Sequence, residues 1–278
     1  MISKQELQQG INDIPPLSPV VVDVLDFINN SDEIDFSILE NKIIQEPGLT
    51  GRILNLANSS FFGMPGAIGS LKDACLVLGI NAIRNLVISS AMMEKFPANS
   101  GKNLDLEGLW KHAVGTAAAA RVLAKHVSLD EEQAFTAGLL HDIGKMILDA
   151  HFSEQYAEVA AYQVENECLT CEAEQKVIGT DHNEVGYMVA ESWNLPVEIT
   201  HSIRLHHSPP TQNKAEMSHV INLADILSRG LGIGNAGDPF IPVLLPEILE
   251  ILHIGFPEIK QNLTKIEALA ENFSTLLD

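Results

Sequence analysis

The sequence is poor in cysteine, poor in cations and without a clean apolar run, and each shortage removes a class of protein. Three cysteines, Cys75, Cys168 and Cys171, serve 278 residues. A small, odd number excludes a disulfide-built scaffold. Cys168 and Cys171 form one C-x-x-C in "ECLTCE". A zinc site would want a second such pair and a thioredoxin-like motif a βαβ setting; neither is visible, so both are read as ordinary thiols. Lysine and arginine number 17 against 37 acidic residues, a net charge of −20 with pI near 4.7. That field opposes direct binding to nucleic acid or anionic membrane, and an anionic substrate would need a local cation such as a metal. The most apolar stretch, "PFIPVLLPEILEILHIGF", is interrupted by Pro242, Pro246, Glu247 and Glu250, so no membrane span is expected. The polar start "MISKQELQQGINDIPP" does not read as a signal peptide. The expected location is the reducing cytoplasm. Strand-like alternation is scarce, and there is no internal repeat or low-complexity segment.

What the chain has instead is helix signals and apolar residues, 46% of the total against 19% charged, enough for a sizeable core. Ser18 precedes Pro19 as an N-cap before proline at the first helical position. "DFSILENKIIQEP" sets Ile34, Ile38 and Ile43 near one face and is expected to stop at Pro47. Ser70 and Asp73 have capping-box spacing, and that helix should end at Gly79. The turn-forming "PANSGKNLD" marks a boundary between two helical lobes. Beyond it, "LEGLWKHAVGTAAAARVLAKHV" offers Gly115 and Ala117 to Ala120 for close helix approach. "DEEQAFTAGLLHDIGKMILDAHF" reads as one helix. Asp181 and Glu184 repeat the capping-box spacing, and "EMSHVINLADILSRG" should end at Gly230. Two or three amphipathic segments follow Pro239. The expected architecture is all-α, with an N-terminal lobe over 1–98, a second lobe over 99–230 and a helical tail over 231–278, packed on the domain or forming an interface.

The ionisable residues fall in unusual places. Within "AGLLHDIGKMIL", His141, Asp142 and Lys145 interrupt an apolar helix. At about 100° per residue, Lys145 would share a side with His141. Burying these charges unpartnered costs several kcal/mol each, and a metal ion removes that cost by taking the carboxylate and a neutral imidazole as ligands. Further candidates are His112 in "LWKHAVGT", His182 after the cap Asp181, the pair His206 and His207 at a helix end, and Asp225 in "VINLADIL". Singly, each has an ordinary explanation: a hydrogen-bonded core histidine, a cap, or a cation at a helix C-terminus. Together they form a His/Asp donor set without thiolate, which suits iron, manganese, zinc or nickel, and they are too many for one tetrahedral ion, so one or two ions are expected. His126, His151, His201, His219 and His253 lack the pattern and are set aside.

The order His112, His141–Asp142, Asp225 resembles the H…HD…D signature of the HD superfamily of metal-dependent phosphohydrolases. "HDIGK", His182 in "HNEVG", the "HH" at 206 and 207 and the "AD" at 224 and 225 resemble HD-GYP phosphodiesterases, which act on cyclic di-GMP. In that branch Lys145 would sit over the substrate phosphate. The sequence departs from it after the double histidine, where Ser208, Pro209 and Pro210 stand and no G-Y-P follows. In the first lobe "EPGL", "LANSSFFG" and "LGINAIRNL", with "DHNEVGYMVAESWNLP" later, are similar to the HDOD domain, the HD-related output domain of bacterial signalling proteins, over roughly 11–230.

The resemblance implies a two-lobed helical module, with His112, His141, Asp142, His182, His206, His207 and Asp225 as metal ligands. Three readings stay open. The first is a signal-transduction output module holding a metal for stability or sensing. The second is an active metal-dependent phosphohydrolase with Asp142 and Lys145 in the catalytic roles. The third is a helical scaffold with an empty pocket. Expected partners are a phosphoester or nucleotide ligand, a signalling protein and a second copy of the chain. Asn58, Ser59, Arg52 and Arg84 form a polar group best explained by capping and inter-helix hydrogen bonds.

Overall fold

The computed structural model describes residues 2, 4–12, 18–30, 35–45, 47–58, 68–96, 101–211, 214–238 and 240–274. Every regular element among them is a helix: α1 Lys4–Asn12, α2 Pro19–Asn30, α3 Phe36–Ile43, α4 Pro47–Ala57, α5 Leu71–Leu78, α6 Ile80–Lys95, α7 Leu106–His126, α8 Glu131–Leu140, α9 Ile143–His151, α10 Ser153–Asn166, α11 Thr170–Val177, α12 His182–Ser192, α13 Val197–Leu205, α14 Met217–Gly230, α15 Pro246–Leu252 and α16 Phe256–Ser274. None of them is long and apolar enough to cross a membrane. The chain divides into two compact units, one of Met1–Pro15 with Phe96–Ala270, the other of Pro16–Lys95 with Glu271–Asp278.

The smaller unit is built from α2 to α6 and shows its caps where the sequence places them. Ser18 Oγ accepts from Val21 N at 3.3 Å. Ser70 Oγ accepts from Asp73 N at 3.0 Å, and Gly79 ends α5 with φ of 81°, a left-handed value that glycine takes without strain. The helix over 36–43 differs from expectation. Ile34 lies outside the described residues and Ile38 is exposed, while Leu39 and Ile43 are buried. Pro47 begins α4 instead of merely ending α3, because proline's fixed φ suits the first helical position. Asn58 clips the end of α4 to Ile68 through Nδ2 to Ile68 O at 2.9 Å and Ile68 N to Oδ1 at 2.6 Å. Ser59 and the Arg52 side chain lie outside the described residues.

The larger unit is organised by α7. Gly138 of α8 lies so close that a Cβ there would come within 2.8 Å of Ala117 Cα, and a Cβ on Gly115 would meet Ser228 Oγ of α14 at 2.5 Å. The small residues of α7 thus bring α8 and α14 against it. The expected single helix over 131–152 is two helices. Asp142 has φ −98° and ψ 11°, which stops α8 and restarts the chain as α9 in a new direction. His141 and Asp142 therefore stand at a corner, and Lys145 is one turn past Asp142. Gly144 sits against α12, where a Cβ would lie 2.0 Å from His182 O. Asp149, 2% exposed, accepts from Lys102 N, Asn103 N and Asn103 Nδ2 at 2.8 to 2.9 Å, which fixes the segment leading into α7.

Candidate metal centre

The corner at His141–Asp142, the second turn of α7, the start of α12, the end of α13 and the third turn of α14 meet at one place in the larger unit. His112, His141 and Asp225 form one group whose donor atoms all lie within 4.8 Å of one another, and Asp142, His182, His206 and His207 form a second. All seven residues singled out in the sequence are in these groups. His112, His141, Asp142, His182, His206 and Asp225 are 1% exposed or less, and His207 is half-buried.

The imidazoles are oriented from behind. His141 Nδ1 donates to Gly138 O at 2.6 Å and His206 Nδ1 to Ile203 O at 2.7 Å. Both carbonyls can only accept, so both Nδ1 atoms carry the proton. His182 Nδ1 donates to Glu174 Oε2 at 2.6 Å, and the same oxygen accepts from His182 N at 2.8 Å. Ser228 Oγ stands 3.3 Å from His112 Nδ1. With Nδ1 of His141, His182 and His206 committed outward, their Nε2 atoms face inward, where His112 Nε2 and His141 Nε2 are 3.3 Å apart and His182 Nε2 and His207 Nε2 3.1 Å. Holding the far nitrogen in this way is how proteins aim histidine at a metal.

Asp142 lies between the groups. Its Oδ2 is 3.3 Å from His141 Nε2 and accepts from Lys145 Nζ at 2.8 Å. Its Oδ1 is 3.3 Å from His182 Nε2 and 3.7 Å from His206 Nε2. Oδ1 nevertheless accepts no hydrogen bond, because His182 and His206 hold their protons at Nδ1. His206 Nε2 is also buried without a partner. Two buried acceptors facing each other unsatisfied cost free energy, and a cation satisfies both at once. The donor set therefore fits a divalent metal.

The surrounding charges agree with that fit. Burial opposes ionisation of Asp142, but His141 and Lys145 hold it well below the ordinary carboxylate range. Asp225 is also held well below that range, against burial, by Arg229, whose Nε donates to Asp225 Oδ1 at 2.8 Å. Burial also works against charge on His141, yet neighbouring Asp142 carries it up to about 9, so its Nε2 holds a proton that a bound metal would displace. Burial, then the neighbouring histidines, push His206 and His207 well below the ordinary value, which suits neutral ligands.

The sequence reading did not single out Glu174, Arg229 or the segment after α14. Glu174 sits among charged neighbours in "CEAEQK", which hides a buried carboxylate; Arg229 was legible as an i, i+4 partner of Asp225. That segment closes over the centre. Asn235 N donates to Gly108 O at 2.8 Å, Lys145 Nζ to Ala236 O at 2.9 Å, and Arg229 Nη1 lies 3.2 Å from Asp238 Oδ2.

A family model for the HDOD domain matches residues 14–209, and the chain belongs to that family. Two solved structures share the fold. A candidate phosphohydrolase from Shewanella amazonensis, 23% identical, covers 98% of this chain and of its own at a TM-score of 0.80. A protein from Marinobacter aquaeolei, named as a candidate signal-transduction protein and 18% identical, covers 99% of this chain and 65% of its own at a TM-score of 0.75. Among curated relatives, an uncharacterised Treponema pallidum protein is 27% identical over 72% of this chain and 39% of its own length. Ribonuclease Y of Mycoplasma mycoides is 28% identical over 59% and 33%. The chain thus spans well under half the length of these relatives. It is an all-helical HDOD protein with a His/Asp cluster able to hold a metal.

Proposed function

We propose that the protein is a bacterial, cytoplasmic signal-transduction output module in which His112, His141, Asp142, His182, His206, His207 and Asp225 hold one or two divalent ions of iron, manganese, zinc or nickel. The observation that carries this reading is the closure of the centre. Six of the seven donors are 1% exposed or less, Lys145 is 0% exposed and pinned between Asp142 and Ala236 O, and Arg229 Nε shares Asp225 Oδ1 with His112 Nε2. An ion so enclosed fixes the relation of α7, α9, α12, α13 and α14, which suits a module that passes on a conformation. A partner protein and self-association are the interactions this role requires. The Marinobacter structure's name points the same way.

The second reading is a metal-dependent phosphohydrolase, favoured by the complete donor set and by the names of the Shewanella protein and of ribonuclease Y. A bound divalent ion would supply Lewis acidity and a water of lowered pKa. Asp142 would hold the ion, and Lys145 would have to leave Ala236 O to reach a phosphate. The net charge of −20 disfavours an RNA strand as substrate.

Elemental analysis and a phosphodiesterase assay with bis(p-nitrophenyl) phosphate on one sample separate the two. Bound metal without turnover is expected. Turnover that follows metal content and vanishes in Asp142→Ala would replace the module reading with the hydrolase. Absence of metal after reconstitution would sink both.

A further inference from the structure

The geometry points to a small-ligand site in the cleft beside His207, where an oxyanion reaches the metal centre and Asn183 receives a hydrogen bond from the ligand's body. This rests on the ion reading above. His207 is the half-buried member of the seven, and it lines a cleft of about 440 Å³ with Asn183, Ser208, Lys176, Gln175 and Tyr162. Concave, largely preformed spaces of this size are where small ligands bind. Anything that approaches the second donor group through this cleft passes His207.

Asn183 gives the cleft a chemical preference. It follows His182 in the chain, is 9% exposed, and its Oδ1 is buried with no hydrogen-bond partner. A buried amide oxygen left alone is destabilising, and a ligand N–H or O–H relieves it. The carboxylates on the same wall are already engaged. Glu172 accepts from Leu169 N at 3.2 Å, and Asp181 accepts from Glu184 N at 3.0 Å and Gln175 Nε2 at 2.7 Å. Lys176 is exposed at the rim and has no partner among the described residues. The complement is a small molecule with one oxyanion, directed to the ion and Lys176, and hydroxyl or amide donors directed to Asn183. A polyphosphate or a nucleic-acid strand brings more negative charge than this wall accepts.

The test uses the full chain loaded with manganese, with ribose 5-phosphate and inorganic phosphate as probes. Manganese stoichiometry, the ³¹P line width and the affinity by calorimetry are read together. Ribose 5-phosphate should show ³¹P broadening from the bound ion and bind about tenfold more tightly than inorganic phosphate, the effect of one hydrogen bond to a buried unsatisfied acceptor. Asn183→Leu should remove that advantage while manganese stoichiometry is kept and the melting temperature holds or rises, since the orphaned acceptor is gone. A merely structural Asn183 would lower the melting temperature and leave the probe's advantage intact. Lys176→Gln, at an exposed position, should weaken both probes by a similar factor. Retained manganese with no broadening, or a ribose 5-phosphate advantage that persists in Asn183→Leu, overturns the cleft and leaves the ion reading standing. Manganese that is not retained overturns both.

Discussion

His112, His141 and Asp225 have a cation built in beside them, whereas His182, His206 and His207 turn their inner nitrogens toward one another and the far oxygen of Asp142. In the first group Asp225 is 3.0 Å from His112 Nε2 and bonded to Arg229, and the loop carrying Asp238 and Ala236 shuts it from solvent. In the second group Asp142 Oδ1 and His206 Nε2 are buried without partners, and His207 opens to a cleft. The first group is compensated by the protein itself; the second is left to be completed. The difference teaches where an ion matters most for the fold. A buried charge network that is already paired gains less from an added cation than one with unsatisfied acceptors.

Removing the residue that both groups share should have the largest effect. In Asp142→Ala the Lys145 ammonium keeps only Ala236 O, and the imidazoles lose the carboxylate between them. Breaking a buried charge pair costs about 3–5 kcal/mol. We expect metal content to fall to background and the ion-dependent gain in melting temperature to vanish. Wild-type metal content in this variant would show that Asp142 is not shared between the groups.

Arg229→Met tests the other side of the contrast. Arg229 joins Asp225 to Asp238, with Nη1 also directed at Phe240 O at 3.4 Å. Methionine keeps much of the volume and removes the charge, so Asp225 is left buried with only His112 and His141 beside it. We expect a loss of about 3 kcal/mol in metal-free protein, and a larger stabilisation by added metal than in the wild type, because a cation then replaces the guanidinium. Denaturant unfolding with and without metal measures both. Equal metal stabilisation in the two proteins would mean that Arg229 does not compensate the first group.

These contrasts show what a sequence displays and what it conceals. The seven residues were visible as a set: each singly has an ordinary explanation, but so many histidines and aspartates placed in or beside apolar helices do not. The caps at Ser18, Ser70 and Asp181 were visible because capping is local chemistry with fixed spacing. The break at His141–Asp142 was not. Both neighbouring stretches have helical periodicity, and nothing between them is glycine or proline; the corner is imposed by α7 and α12 packing on either side, a tertiary effect. Pro47 was read as an end and proved to be a beginning, since proline next to a helix has both meanings. Glu174 was concealed for a related reason: its buried state follows from where α11 meets α12, eight residues from His182, beyond any helical period that would link them.

Glu174 offers the smallest and most selective test. It is 0% exposed and holds the His182 ring from behind, while its other oxygen accepts from Tyr156 Oη at 3.1 Å. Glu174→Gln preserves size and can still accept from His182 N. It withdraws the negative charge that strengthens the imidazole as a donor, and its amide can turn to present N–H to Nδ1, which reverses the tautomer and removes the inward lone pair. Loss of such a supporting group typically lowers metal affinity about 10- to 100-fold, here confined to the second donor group. Metal titration of the variant should therefore show one class of site weakened and the other unchanged if two ions bind, with the fold intact by circular dichroism. A uniform loss across both classes would mean that the two groups act as one site, and the contrast drawn between them would not stand.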